Sequence, residues 1–479
     1  MLTNNNQKGD YLMQEVTCSK KTIWIMGTYS LLTLSIMVGF MYINTFGTEI
    51  LLIPATTLAT ALLVAKILDF IVSVFAGIII EKFKLSKKLG KNQAWLKIGR
   101  WVLAVMIMLE VCNTSAAPMA MRVAVLAVSY TILNCLMNML QTAYYNLVGV
   151  VAGPNPANRN AMTVNMTRQC TVVTLVCSFI PTLVTYLPFG NWNYFIVAFV
   201  FMIPMLFAMN AISKQADGLD QPAGKNQPGA QVTMMDMINT LIRNPKLLAL
   251  FICQTIFYIG QYVYQSNYTY YFIYVVGDFT KLTVCSLVGA VIGIFASMIM
   301  PKLVGSKLGK KGACVFGFAV YGVGMILCTF LAVYSWILYI VCMAVVFIGT
   351  YTYMPYYMTM YLDCGEWYLW KTGKDTRGVA MGLGGPPLKI GMAIGGSLGL
   401  YLLGATGYEA GMTATASWTS AYMAVSFLVP GIITVAAALL LLITYRLKDA
   451  DVARYSQENA DKMAAAMAAA AEAETAKTE

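Results

Sequence analysis

The sequence predicts an all-α membrane protein of twelve crossing helices, arranged as two six-helix halves. Three observations predict it. Hydrophobic residues make up 59% of the 479-residue chain and charged residues only 11%, less than half the roughly 25% of a soluble domain. The apolar runs are each about 20 residues or longer, enough to cross a hydrocarbon core of ~30 Å as a helix. The basic residues gather in a few loops, as they do on the inner side of a membrane. The alternating pattern of an outer-membrane barrel is absent.

In chain order, the polar stretch 1–21 has no cleavable leader pattern, so the first span is expected to direct insertion. The spans fall at roughly 22–44, 50–80, 98–113, 118–151, 163–187, 191–212, 245–276, 281–301, 312–333, 336–361, 378–403 and 417–446. The second, fourth and seventh are long and are expected to tilt or to run out into solvent. A Gly/Pro-rich linker follows the sixth, and Met234 to Arg243 reads as an amphipathic helix on the membrane face. The expected organisation is an N-terminal segment (1–21), a first bundle (22–212), a linker with its surface helix (213–244), a second bundle (245–446) and a tail (447–479). The tail, rich in Ala, Glu and Lys, reads as a solvated, fraying helix.

The halves carry a small echo. Lys88-Leu89-Gly90-Lys91 after the second span recurs as Lys307-Leu308-Gly309-Lys310 after the eighth. Parallel repeats joined by a central linker are the plan of the major-facilitator fold, whose sites lie between the halves.

The net charge of +11 is a matter of topology. Seven basic residues (Lys82, Lys84, Lys87, Lys88, Lys91, Lys97, Arg100) occupy one loop region and four (Lys302, Lys307, Lys310, Lys311) another. This distribution puts both termini in the cytoplasm and argues against a nucleic-acid partner. The eleven cysteines lack metal-ligand spacing and read as small buried hydrophobes. The chain has no histidine, which removes histidine ligands, bases and proton relays together. No nucleophile elbow, Walker loop or HExxH is present, so enzyme chemistry has no visible apparatus.

The informative residues are charges at membrane depth, which cost about 2.5–3.5 kcal/mol each on insertion scales and mark pathways. In the second span Lys66, Asp69 and Ser73 stand at i, i+3 and i+7, on one helix face. Asp69 suits a cation or a proton, and the structural alternative is an ion pair with Lys66. Arg168 opens the fifth span, either toward a substrate or snorkelling to the interface. Glu110, ending the third span, reads as interfacial. Lys389 stands about a dozen residues inside the eleventh apolar run, after the polar stretch Asp363 to Gly378, which holds Glu366, Lys371 and Arg377. Amides and tyrosines alternate in the fourth span (Asn134, Asn138, Gln141, Tyr144, Tyr145, Asn146), the seventh and the tenth (Tyr351, Tyr353). As a set they suit a polyhydroxylated ligand, while any one tyrosine fits the interfacial belt.

The stretch Asp363-Cys364-Gly365-Glu366-Trp367, with Lys371-Thr372-Gly373, Arg377-Gly378, Lys389 and Gly395-Gly396, resembles the glycoside-pentoside-hexuronide:cation symporters, the melibiose permease-like family of the major facilitator superfamily. Arg243-Asn244-Pro245 before the seventh span, Leu63 to Asp69 in the second, and Arg159 with Arg168 resemble the same family. The resemblance implies that Asp69 is a cation-site carboxylate, that Lys389 links cation and sugar sites, and that Arg168 binds sugar. It implies aromatic sugar contacts at Tyr145 and near Tyr351, with Asp363, Glu366, Lys371 and Arg377 in a gating loop. The departures are Lys66 for the usual arginine, Ser73 for the second cation-site carboxylate, Val74 for a proline, and Thr33 and Gln141 at the sugar-binding carboxylates.

The function this implies is alternating-access symport of a glycoside, pentoside or hexuronide. With Asp69 facing Lys66, Arg168 and Lys389, the core is net positive, which favours an acidic sugar and leaves H+, Na+ or no coupling ion open. No other cofactor is expected. The expected partners are a small sugar and the lipid bilayer, and the expected setting is a monomer in a bacterial-type inner membrane. Two other functions stay open: carriage of a lysolipid or similar amphiphile on the same fold, and a transport-inactive membrane sensor.

Overall fold

In the computed structural model, residues 15–83, 85–86, 88–153, 155–220 and 234–475 are described. Lys84, Lys87, Pro154, residues 1–14 of the N-terminal segment, linker residues 221–233 and the last four residues lie outside them. The helices of the first half are α1 (Lys20–Gly27), α2 (Ser30–Thr45), α3 (Ala55–Lys82), α4 (Lys91–Glu110), α5 (Met119–Ala152), α6 (Pro156–Cys177), α7 (Ile180–Tyr186) and α8 (Asn193–Gln215). There follow α9 (Met234–Arg243), α10 (Pro245–Tyr270), α11 (Lys281–Met300), α12 (Ser306–Leu331), α13 (Trp336–Tyr353) and α14 (Tyr357–Thr372). The chain ends with α15 (Arg377–Gly382), α16 (Pro386–Ala405), α17 (Ala416–Met423), α18 (Val429–Thr444) and α19 (Asp449–Thr475).

Ten helical runs among the described residues are long and apolar enough to cross a membrane. The run Lys281–Leu331, 51 residues long, holds two of the expected spans. A further one is α4, whose first turns carry Lys91, Lys97 and Arg100. Twelve spans are consistent with this.

Local chemistry sets the helix ends. Ser19 caps α1 by accepting from the N–H of Thr22, Asn155 caps α6 ahead of Pro156, and Asn244 accepts from Leu247 at 3.1 Å to start α10. Gly373, at φ 71°, closes α14 in the left-handed region.

The chain forms two compact units. The first holds residues up to Pro228, with Thr269–Leu287 and Tyr408–Thr413. In it α4 packs on α5 and α8, α3 on α5, and α2 on α6 and α8. The second holds Gly229–Tyr268, Val288–Gly407 and Ala414–Glu479, with α12 against α13 and α18. Within the second unit, Gly391, Gly395 and Gly399 form a stripe of small residues on α16. A Cβ at Gly395 would stand 2.3 Å from the carbonyl oxygen of Ile259 on α10. The two backbones touch there, as small-xxx-small packing permits, and this contact sets the position of Lys389 on the same helix.

Three sequence readings change. Glu110 is buried, at 2% exposure, and does not sit at an interface. The tail forms α19, whose Val452, Tyr455 and Asn459 lie on one buried face against α14, so it is a docked helix. The stretch read as a polar loop after Asp363 is largely helical as well, since α14 carries Asp363 through Thr372.

Candidate functional site

In the first unit, Lys66, Asp69 and Ser73 share a half-buried face of α3. Asp69 accepts a short hydrogen bond from the Asn138 amide on α5, and Asn138 donates to the carbonyl of Asn134 at 3.1 Å. Lys66 lies within electrostatic reach of Asp69. The Ser73 hydroxyl donates back to Phe70 O at 2.7 Å, which leaves its lone pairs as the acceptors it can offer. Asn138, Gln141 and Tyr145 are themselves spaced i, i+3 and i+7 on α5. Asp69, through Asn138, therefore joins the row that carries the two residues matched to the sugar site.

Tyr145 is exposed beside Tyr144, with ring centroids 5.5 Å apart. Tyr144 stacks on Tyr29 at 3.8 Å and donates to Met26 O at 2.8 Å. This aromatic ladder fixes the Tyr145 backbone while its ring stays available. Thr33 is half-buried on α2 and Gln141 is exposed on α5.

Arg168 lies elsewhere in the same unit. It lines a groove of about 550 Å³ between α1 and α6, with Lys20, Asn160, Asn165 and Trp24. That volume is within the few-hundred-to-1,000 Å³ range of small-molecule sites. Two cations, two amides and an indole face can bind an anion attached to a polar ring. Asn165 and Gln169 donate to the carbonyls of Ile23 and Trp24, at 2.8 and 3.0 Å, and so fix α1 to α6.

The sequence reading passed over Glu49. It follows α2 in a π-helical turn, and its carboxylate accepts from the hydroxyls of Tyr274, at 2.8 Å, and of Tyr408. Tyr274 in turn accepts from the N–H of Gly411 at 2.8 Å. Two threonine contacts continue the seam, Thr48 with Tyr270 at 2.8 Å and Thr45 with Thr269 at 2.7 Å. Tyr408 is shielded from water beside Tyr270 and Glu49, and this burial holds its hydroxyl well above the ordinary tyrosine value. The sequence signal of Glu49 was a single acid between the first and second expected spans.

In the second unit the residues matched to the gating loop cluster. Lys310 Nζ reaches both oxygens of Asp363, at 2.7 and 2.8 Å. Arg377 bridges Glu366 at 3.1 Å and Asp375 at 2.7 Å. These hydrogen bonds hold the Asp375 carboxyl below its usual range. Asn459 of α19 donates to both the carbonyl and the carboxylate of Glu366, and Trp370 donates to Glu458 at 2.6 Å. Asn244, buried, donates to Cys364 O at 2.9 Å. Lys371 is exposed, 5.0 Å over the ring of Trp367. Tyr351 and Lys389 are half-buried on α13 and α16. Asp69 belongs to the first unit and Lys389 to the second.

The family described as MFS/sugar transport protein matches residues 19–449. The chain is 23% identical over 382 residues to the glucuronide carrier protein homolog of Escherichia coli (strain K12), covering 79% of this chain and 81% of that protein. It is 23% identical over 424 residues to the uncharacterized symporter YjmB of Bacillus subtilis (strain 168), covering 88% and 90%. Among solved structures it is similar to a bacterial homologue of the human lysosomal transporter Spinster, at TM-score 0.64 and 12% identity, covering 90% of this chain and 98% of that one. It is also similar to the nucleoside transporter NupG, at TM-score 0.58 and 15% identity, covering 90% and 99%. At such identities these likenesses speak for the fold.

Proposed function

This chain belongs to the MFS/sugar transport family, and on that premise we propose that it carries an acidic sugar, a hexuronide or its glycoside, by alternating access coupled to H+ or Na+. Membrane transport, with no enzyme chemistry, is the family's activity. The observation that carries the finer reading is the α1–α6 groove, where Arg168 and Lys20 stand with Asn160 and Asn165. Guanidinium and ammonium groups pair with a carboxylate, amides serve the ring hydroxyls, and Trp24 offers an apolar face. The relative named as a glucuronide carrier homolog supports an acidic sugar, and the relative named as an uncharacterized symporter supports coupling.

In this mechanism Asp69, oriented by Asn138, receives the coupling cation. Lys66 responds to its charge, Gln141, Tyr145 and Thr33 of the first unit contact the sugar, and in the second unit the Asp363–Arg377 cluster controls access from the side of the basic loops. The setting is a bacterial-type inner membrane, with both termini in the cytoplasm and a single chain as the working unit.

Counterflow in proteoliposomes tests it. Glucuronides and galacturonides should exchange, neutral glycosides should exchange at least tenfold more slowly, and an inward Na+ or pH gradient should drive accumulation. Equal exchange of neutral and acidic sugars would remove the acidic-sugar reading. Accumulation indifferent to both gradients would remove the coupling.

A further inference from the structure

Glu110 is the buried charge that the mechanism above does not use. It ends α4, is 2% exposed, and its Oε1 has no hydrogen-bond partner among the described residues. No lysine or arginine pairs with it among those residues. The room it occupies is made by a missing side chain on another helix. A Cβ at Gly39 of α2 would stand 2.4 Å from the carboxyl carbon and 2.4–2.5 Å from both oxygens. Buried apolar residues surround it, Val38 and Ile43 on α2 and Leu103 and Ile107 on α4, and the buried Ser35 one turn from Gly39 donates its hydroxyl to Leu32 O at 2.8 Å.

The titratable groups near this level can be placed by helix register. Asn92 pairs with Asn146 and Asp69 with Asn138, which sets Glu110 opposite the first half of α5 and the start of α3. There α3 offers no titratable side chain from Ala55 to Ala65, and Lys66 and Asp69 lie about two turns or more beyond. On α5 the groups are Tyr130 and Arg122, whose guanidinium donates to Ala117 O at 2.7 Å and Leu51 O at 2.9 Å. On α8 and α2 they are Tyr194 and Tyr42, and further along the chain Glu49 is engaged by Tyr274 and Tyr408. None of the cations is placed to balance a carboxylate at Glu110.

We propose that Glu110 is a proton-binding site, a neutral carboxylic acid sealed against Gly39 that exchanges its proton when α2 moves relative to α4. An ionised carboxylate buried without a cation or a full set of donors is far less stable than its neutral form. The ligand is a proton rather than a metal ion, because a lone carboxyl in an apolar wall lacks the oxygens that a sodium or divalent ion needs. Asp69 differs in having Lys66 and Asn138 at hand. The proposal deepens the symport reading only in its second part, the use of this proton in coupling.

The test has two arms. Infrared difference spectra of the full chain in lipid, wild type against Glu110→Gln at neutral pH, should show one protonated-carboxyl C=O band that the variant lacks. Gly39→Ala, which presses on the same carboxyl, should shift that band if the glutamine variant does not fold. Absence of the band from the wild type overturns the site. In proteoliposomes, Glu110→Gln should keep glucuronide counterflow and lose at least tenfold in accumulation driven by a pH gradient. Full retention of that accumulation overturns the coupling role. Wild-type chains that fail at counterflow but show the band would refute the sugar reading and leave the proton site standing.

Discussion

Asp449 Oδ2 accepts a hydrogen bond from the backbone N–H of Lys310 at 2.9 Å. The same device occurs in the first unit, where Asp220 Oδ2 accepts from the N–H of Gln93 at 2.8 Å. Each aspartate lies just past the last membrane-crossing helix of its half, and each caps the helical stretch that follows the Lys-Leu-Gly-Lys echo, in α12 after the break at Gly309. The glycine of the echo explains the repeat: a Cβ at Gly90 or Gly309 would stand 2.4 or 2.5 Å from the capping carboxylate. Gly309 is also at φ 68°, in the left-handed region. Gly309→Ala should therefore destabilise the protein by about 1–3 kcal/mol, from the strained backbone alone. Asp449→Ala should cost about 0.5–2 kcal/mol, as loss of an N-cap does. Thermal unfolding of the purified protein in detergent measures both.

Lys310 and Asp363 form a pair with a nearly buried acid, 8% exposed, and a base that is 31% exposed. Removing one partner of a fully buried pair costs about 3–5 kcal/mol. Because Lys310 keeps some contact with water, Asp363→Ala should fall at or below the lower end of that range. The exchange Lys310→Asp with Asp363→Lys should recover part of the loss. A double-mutant cycle on melting temperature reads the coupling.

The hydroxyls of Tyr274 and Tyr408 both donate to Glu49. A hydrogen bond to a charged group is worth about 1.5–3 kcal/mol. Glu49→Ala should therefore raise amide exchange in 269–275 and 408–413 at least tenfold, the factor that 1.4 kcal/mol represents. Hydrogen-exchange mass spectrometry reads those peptides directly.

The same seam should withstand alkali. The Tyr408 hydroxyl titrates above the ordinary value near 10 because it is buried and close to Tyr270 and Glu49. A group raised in the folded state contributes stability that is complete below its unfolded value and is lost as pH rises through its folded value. Protection of 408–413 should thus stay flat on approaching pH 10 and fall only above it. Tyr408→Phe should remove that alkaline step.

Asn459 gives Glu366 two hydrogen bonds from a buried position. Asn459→Ala leaves part of that site without its donor, at a cost of about 1–3 kcal/mol. Tryptic cleavage within α19, at Lys462, should become several-fold faster, while Gln457→Ala, on the exposed side, should leave it unchanged.

Much of the fold was legible because lipid imposes a strict rule. Backbone polar groups must be satisfied within each span, so length and hydropathy announce the helices. Within the charged stretch of the second unit, Glu366 and Arg377 meet, eleven positions apart. The partners of Asp363 and Glu366, Lys310 and Asn459, come from 53 and 93 positions away, and no local pattern links them. Glu110 was misread for a related reason. A carboxylate at a helix end looks interfacial until a glycine on another helix is found to seat it. Glu49 escaped because one acid between two apolar spans has the same local pattern whether it faces water or two tyrosines.

By itself the sequence determined that the chain is a helical membrane protein built from repeated halves, with its charge excess in loops and a few charges kept at depth. Those outcomes follow from transfer free energies and helix periodicity, which are local properties. The tertiary structure alone decided which charges are answered. Asp69 received Asn138, Asp363 received Lys310, Glu49 received two tyrosines and Glu110 received none among the described residues. Pairing depends on which helix faces which, and that is set by the packing of small residues such as Gly39 and Gly395 across helices distant in the chain.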